Sequence, residues 1–282
     1  MQIFLNGRFV PEKRAVVSVF DRGFLYGDGL FEAVLVHRGK LFRWAEHLER
    51  FSRGAAMLKI KVPFGPKKLR ALAEELIRRN KVSSVILRLT LSRGVGPRGY
   101  SPKGARFATF VMSLHPLSAS ASGQASWKVV ASSQRLPAGE PLAQFKNCNK
   151  LPQILARAEA DEAGAEEALL LNTDGFVVEG TTSNLFWVKR DTVCTPPLSA
   201  GILPGVTRAV VLEICKSLRI NNREANVSLP KLKRMDGVFL SMTSRGVVSV
   251  QSLDGKRLKQ SSLVEGLAAA YWKIVEAETE GG

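Results

Sequence analysis

Cysteine is scarce in this chain of 282 residues. The three present, Cys148, Cys194 and Cys215, are too few and odd in number for a disulfide framework, and their spacing matches no zinc pattern. Histidine is equally rare: His37, His47 and His115 lie far apart, with no carboxylate or cysteine at ligand spacing, so no metal centre is expected. No apolar run reaches the roughly 18 residues that a membrane helix needs, which leaves no expected role for a membrane. The opening MQIFLNGRFV lacks the basic-then-apolar order of a signal peptide. A reducing, cytoplasmic location is the expectation. Also missing are a Gly-x-Ser-x-Gly elbow and a phosphate loop ending in Gly-Lys-Ser/Thr. Negative charge is in short supply, since 41 Lys+Arg against 25 Asp+Glu leave a net +16. The positives are scattered, with small groups at Lys67-Lys68-Arg70, Arg78-Arg79 and Lys231-Lys233-Arg234 and no aromatic-interleaved stripe. A nucleic-acid partner is therefore not expected, and the charge reads as a solvated surface that attracts small anions.

What is present suits an ordinary globular enzyme. A 45% hydrophobic composition excludes disorder, and this length accommodates one large domain or two modest ones. One compositional break stands out, the small and polar LSASASGQAS at 117–126, which cannot bury a face. The break divides the chain into a small N-terminal α+β domain (1–116), an interdomain loop (117–126) and a larger C-terminal domain (127–282). In the first, Asn6-Gly7 sits between short strands as a hairpin turn. Helical spacing runs over 44–60, through Trp44, Leu48, Phe51, Ala55 and Leu58, and again over 67–80. Residues 85–93 alternate Val85, Leu87, Leu89 and Leu91 against Arg88, Thr90 and Ser92, a half-buried strand. In the second, helices are expected at 151–163, with Leu151, Ile154, Leu155 and Ala158 on one face, at 205–218 and at 263–277. Strands are expected at 127–131, 168–171, 176–178, 185–188, 238–242 and 247–250. The fold class is α/β, of the α+β kind.

Four polar islands interrupt this pattern. The first is Asp21 to Gly29, dense in glycine and charge. The second is Phe145-Lys146-Asn147-Cys148-Asn149, a lysine just before a helix. In the third, Glu179 to Asn184 follows an apolar strand and precedes Leu185-Phe186-Trp187, carrying a carboxylate into a buried setting where it wants a partner. In the fourth, Leu203-Pro204-Gly205-Val206-Thr207-Arg208 opens a helix whose first N–H groups form a ready anion site. Each island alone has a bland reading as a turn, a solvated lysine or a helix start. Together they offer an amine for a Schiff base, a carboxylate for a protonated ring nitrogen and a helix end for a phosphate. Those are the requirements of pyridoxal 5′-phosphate.

The chain resembles the fold-type IV pyridoxal-phosphate enzymes, the class-IV aminotransferase family. That group includes branched-chain and D-amino acid aminotransferases and 4-amino-4-deoxychorismate lyases. The likeness runs through DRGFLYGDGLFE (21–32), EHLER (46–50), FKNCNKL (145–151), GAEEALLL (164–171), EGTTSNLFWV (179–188), TPPLSAGILPGVTR (195–208) and VFLSMTSRG (238–246). It implies two α/β domains with the cofactor at their boundary, the lysine being carried by the larger. By the same resemblance, Lys146 is the Schiff-base lysine and proton shuttle, and Glu179 the partner of the pyridine nitrogen. Arg50 grips the phosphate, Val206, Thr207 and Thr243 are further phosphate donors, and Leu203 packs on the ring. A small-molecule amino substrate and a homodimer are implied as partners.

Motifs tilt the reaction toward the lyase. Ser92 to Ser101 is similar to the RGxGxRGYS pattern of aminodeoxychorismate lyases. Ser244-Arg245-Gly246 points the same way, since many aminotransferases of the family carry glutamate where Gly246 stands. Against this, lyases usually have threonine at the position of Ala33, and Leu35 replaces a basic residue common in D-amino acid and branched-chain aminotransferases. The lyase, which releases 4-aminobenzoate and pyruvate in folate biosynthesis, is the leading expectation. A branched-chain or D-amino acid aminotransferase is the alternative. Phe31, Arg93, Arg98 and Ser244 are the expected substrate-facing residues, the arginines because they pair bidentately with carboxylates.

Overall fold

The computed structural model describes residues 1–117 and 126–280. Two compact units emerge, one of Met1–Leu117, Phe145–Asn149 and Val275–Gly282, the other of Ser118–Gln144 and Lys150–Ile274. Apart from Leu117 and Ser126, the expected interdomain loop lies outside the described residues.

The first unit is built on β1 (Gln2–Leu5), β2 (Arg8–Pro11), α1 (Arg22–Tyr26), β3 (Gly29–His37), β4 (Lys40–Leu41), α2 (Trp44–Met57), α3 (Pro66–Asn80), β5 (Val85–Ser92) and β6 (Thr109–Pro116). Its antiparallel sheet runs β2-β1-β6-β5-β3-β4. Asn6 and Gly7, both at positive φ, make the expected hairpin turn. β5 alternates as its pattern requires, with Val85, Leu87, Leu89 and Leu91 buried against α2 and α3. The first island is more than a turn: Asp21 caps α1 by accepting from Gly23 N, and Gly27 ends it at positive φ. β3 and β6, both unforeseen, complete the centre of the sheet.

The second unit holds β7 (Ser126–Leu136), α4 (Leu151–Glu162), β8 (Glu167–Asn172), β9 (Val177–Gly180), β10 (Asn184–Lys189), β11 (Thr192–Thr195), α5 (Val206–Ser217), β12 (Asn221–Glu224), α6 (Leu229–Leu232), β13 (Gly237–Met242), β14 (Gly246–Leu253), β15 (Lys256–Arg257) and most of α7 (Ser262–Thr279). Its sheet runs β12-β11-β10-β13-β14-β7-β8-β9, with β15 on β14. A further pairing, Asn184 with Glu179, joins β10 to β9 and closes the sheet on itself. α5 buries Val206, Val210, Val211 and Ile214 as its periodicity requires.

α4 forms over the expected residues. α4 buries Ala156 and Ala160, whereas Leu151, Ile154 and Leu155 are exposed, so its apolar stripe faces away from this unit's core. One expectation is corrected: the segment of Lys146, expected in the C-terminal domain, belongs to the first unit. Phe31 N donates to Lys146 O (2.8 Å), Cys148 N donates to Gly29 O (3.0 Å), and Phe145 enters the β3–α2 core. Backbone pairing to a strand more than a hundred residues earlier outweighs sequence proximity to α4.

Candidate active site

Lys146 lies in a short extended stretch added to the edge of β3, bridged at Leu30 and Asn147. Burial alternates along it, with Phe145 and Asn147 inside and Lys146 half-buried on the other face. There Lys146 Nζ sits 5.0 Å from the centre of the Phe31 ring. The Arg88 guanidinium covers the same ring at 3.8 Å and donates to Thr90 Oγ1 at 3.2 Å. Arg88 opposes Ala33 in the β3–β5 register. Burial lowers its pKa from the usual arginine value, while the nearby Cys148 opposes that shift. An amine, an aromatic face and a partly desolvated guanidinium thus share one side of the small sheet.

Behind them is a charge cluster on the helix side. Leu30, Glu32 and Val34 share the inner face of β3 because strand side chains alternate. Glu32 is 1% exposed and accepts from Arg50 Nε at Oε1 (2.7 Å) and Arg50 Nη2 at Oε2 (2.7 Å). Its Oε2 also lies 2.8 Å from His47 Nδ1. Burial alone would raise the Glu32 pKa; the charge of Arg50 and the two partners' hydrogen bonds outweigh it and hold it at about 2. His47 is pushed below its usual value, first by burial and further by the charges of Arg50 and Lys146, against the pull of Glu32. Glu32 and His47 were not singled out from the sequence. The period of two along β3 contained the signal, because it turns a carboxylate inward where only a buried cation can balance it.

In the second unit, Glu179 stands at the end of β9 and accepts from Leu203 N through Oε2 (3.0 Å). Asn184, directly opposite, donates through Nδ2 to Leu203 O (2.9 Å). Two residues on, Gly205 is the N-cap of α5, whose start no side chain caps. A Cβ on Gly205 would collide with the Asn184 amide, so only glycine permits this approach. Val206 and Thr207 follow in the first turn, where N–H groups have no partner within the helix. Thr243 and Ser244 lie half-buried in the β13–β14 turn. Gly246 ends that turn at φ +67°, and a Cβ there would run into the Tyr271 ring. Local packing therefore accounts for this glycine, independently of the reaction.

The two arginines expected to clamp substrate part company. Arg93 spends Nε and Nη2 on Asp28 (2.7 and 3.0 Å) and Nη2 also on Leu58 O (2.8 Å), bracing the base of its loop. Arg98 is exposed on that loop, which Arg22 holds by donating to Gly99 O (2.8 Å) and Tyr100 O (3.1 Å). Arg88, not singled out from the sequence, is the arginine that lies with Lys146 over the Phe31 ring. Charge in a half-buried strand was visible, but not which strand face Lys146 would join.

The family pattern for amino-transferase class IV matches residues 29–253. The chain belongs to the class IV aminotransferase family. A candidate branched-chain-amino-acid aminotransferase of Methanocaldococcus jannaschii is 35% identical over 282 residues, covering 100% of this chain and 98% of that protein. The D-alanine aminotransferase of Bacillus licheniformis is 31% identical over 288 residues, covering 99% of each. Among solved structures, the T.th. branched-chain amino acid aminotransferase matches with TM-score 0.91 and 28% identity over 99% of this chain and 95% of that one. It was crystallised with pyridoxamine 5′-phosphate and with N-(5′-phosphopyridoxyl)-L-glutamate. A candidate 4-amino-4-deoxychorismate lyase of Legionella pneumophila also matches, at TM-score 0.87 and 26% identity over 93% of this chain and 96% of that one. The mixed α/β fold is that of the class IV aminotransferases.

Proposed function

We propose that this class IV enzyme is a pyridoxal-phosphate-dependent aminotransferase that moves the amino group of branched-chain amino acids to an acidic keto acid. The observation that carries this reading is Arg88 beside Lys146 over Phe31. The ring offers an apolar wall to an aliphatic side chain, and the guanidinium offers a bidentate partner to a carboxylate. A site for both leucine and glutamate needs those two features. The resemblance to a branched-chain enzyme solved with a phosphopyridoxyl-glutamate adds support. The lyase expectation loses one of its two motifs as a marker, since Gly246 is explained by the backbone and Tyr271, and the similarity to aminotransferases favours the alternative.

Each unit, taken by itself, holds residues that suit part of the cofactor. Lys146 supplies the amine that holds it and that moves the substrate proton. Glu179, fixed by Leu203 N, is the negative partner for the pyridine nitrogen, and the uncapped start of α5 at Val206 and Thr207 receives the phosphate. Arg50, aimed by Glu32, adds a cation for that phosphate, and Thr243 a hydroxyl. Bound pyridoxal phosphate supplies the electron sink that makes the substrate Cα–H acidic. Leu203 gives the apolar contact to its ring. Arg98 and Ser244 remain candidate contacts for the substrate α-carboxylate, whereas Arg93, committed to Asp28, is omitted.

The exposed apolar residues Val16, Val17, Phe20 and Phe24 of the first unit and Leu151, Ile154 and Leu155 of the second support a homodimer, because a soluble monomer rarely exposes so many large apolar side chains. A cytoplasmic location fits the lack of any helix long and apolar enough to cross a membrane among the described residues. The deciding experiment offers L-leucine, D-alanine or 4-amino-4-deoxychorismate, each with and without 2-oxoglutarate. Leucine should bleach the visible cofactor band alone and turn over only with 2-oxoglutarate. Steady 4-aminobenzoate release without a keto acid would overturn the proposal, and D-alanine turnover far above that of leucine would move it to the D-amino acid enzymes.

A further inference from the structure

Glu167, the first residue of β8, is a carboxylate 1% exposed that the chemistry above does not use. Six hydrogen bonds converge on it, every one from a donor. Oε1 accepts from Ala168 N (3.0 Å), Thr181 N (3.1 Å) and Thr181 Oγ1. Oε2 accepts from Thr182 N (3.2 Å), Thr182 Oγ1 (3.1 Å) and Ser183 Oγ (3.2 Å). Five of the six come from one tripeptide, Thr181-Thr182-Ser183. A buried carboxylate is tolerable here because its lone pairs are filled by donors.

That tripeptide is the link between Glu179 and Asn184. Gly180 N donates to Ser183 O (2.7 Å), which tightens the turn and brings Glu179 opposite Asn184. From there the bonds of Glu179 and Asn184 to Leu203 reach the residues that open α5. A chain of contacts within one unit thus runs from Glu167 through the turn to the carboxylate and helix start assigned to the cofactor.

We infer that Glu167 is a positioning residue for cofactor binding: by clamping residues 181–183 it sets the place of the Glu179 carboxylate and of the Leu203–Gly205 segment. The inference rests on the reading of Glu179 as the partner of the pyridine nitrogen. Glutamine at 167 would turn an NH2 group toward one of the two donor triads, so donors would face donors and the turn would have to shift. Displacements of about 1 Å at a site cost on the order of a hundredfold in rate, which gives this contact its leverage.

The test uses full-length wild type, Glu167→Gln, Glu179→Gln and the double variant. Pyridoxal-phosphate affinity is titrated on the apoproteins, thermal unfolding of the apoproteins is recorded, and kcat and KM are measured at saturating cofactor. Glu167→Gln should weaken cofactor binding at least about tenfold, a difference of about 1.4 kcal/mol in binding free energy. It should lower kcat with little change in KM for the amino acid. Its effects should not add to those of Glu179→Gln, as expected for two residues acting through one contact chain. A Glu167→Gln apoprotein that melts lower yet keeps affinity and kcat, or losses that add fully in the double variant, would overturn the inference. Glu179→Gln with wild-type turnover would instead sink the underlying reading and this inference with it, whereas an impaired Glu179→Gln beside a normal Glu167→Gln sinks this inference alone. If Glu167→Gln does not fold, Thr181→Val, which removes one hydroxyl donor to Oε1, is judged by the same criteria.

Discussion

Arg50 holds Glu32 through two parallel bonds of 2.7 Å, a fork-to-fork pair buried between β3 and α2. The pair fixes the guanidinium that is proposed to meet the phosphate. It also makes folding sensitive to acid. Glu32 falls from its ordinary 4.5 to about 2, so between these values the unfolded chain binds a proton that the folded chain refuses. Its contribution is complete above about pH 4.5, declines as pH falls and is gone below about pH 2, amounting to roughly 3 kcal/mol. The depressed pKa of His47 acts in the same direction as pH drops through the usual histidine range. Glu32→Gln should flatten the acid limb of a stability–pH profile measured by urea unfolding. At neutral pH it should cost about 3–5 kcal/mol, because a buried Arg50 loses its counter-charge. A variant with the wild-type profile would contradict the burial of this pair.

Lys146→Ala should bind pyridoxal phosphate only reversibly and lose about 10²–10⁴-fold or more in kcat, the usual weight of a positioned proton-transfer group. Borohydride treatment of the wild type should erase the visible band and leave the label on the peptide containing Lys146. Label elsewhere would refute the assignment.

Arg88→Gln should separate the two substrates. KM for 2-oxoglutarate should rise roughly 10- to 100-fold, as for loss of a hydrogen-bonded charge partner, while KM for leucine changes little. Equal effects on both would show that Arg88 merely supports the sheet.

Gly246→Ala should destabilise the second unit by about 1–3 kcal/mol, since alanine meets both a positive φ and the Tyr271 ring. Thermal unfolding with the cofactor removed reads this directly. An unchanged melting temperature would reopen Gly246 as a marker of reaction type.

On the proposed homodimer, Ile154→Asp and Phe24→Asp should each shift the mass measured by light scattering from two chains toward one, because a charge would be placed on exposed apolar surface that the second copy is proposed to cover. A wild-type chain that runs as a monomer would remove the basis for this prediction.

The sequence by itself determined what is local. Helix periodicity placed α2, α3 and α5, with the 44–60 reading overrunning the end of α2 at Met57. Lys146, Glu179 and Leu203 to Thr207 could be singled out as candidates because each lies in a short contiguous motif, and such motifs survive without knowledge of partners. Tertiary structure decided which groups meet. α4 displayed a convincing apolar stripe, yet its alanines face inward, since periodicity reveals that a face exists and not what covers it. Arg93 and Arg88 are both arginines of or beside one strand. Only the β3–β5 register and the docking of residues 145–149 separate the brace from the group beside Lys146. Glu32 and Glu167 were not singled out for the same reason: a buried carboxylate takes its meaning from donors brought in by distant segments, and desolvation makes those partners obligatory only once the chain has folded.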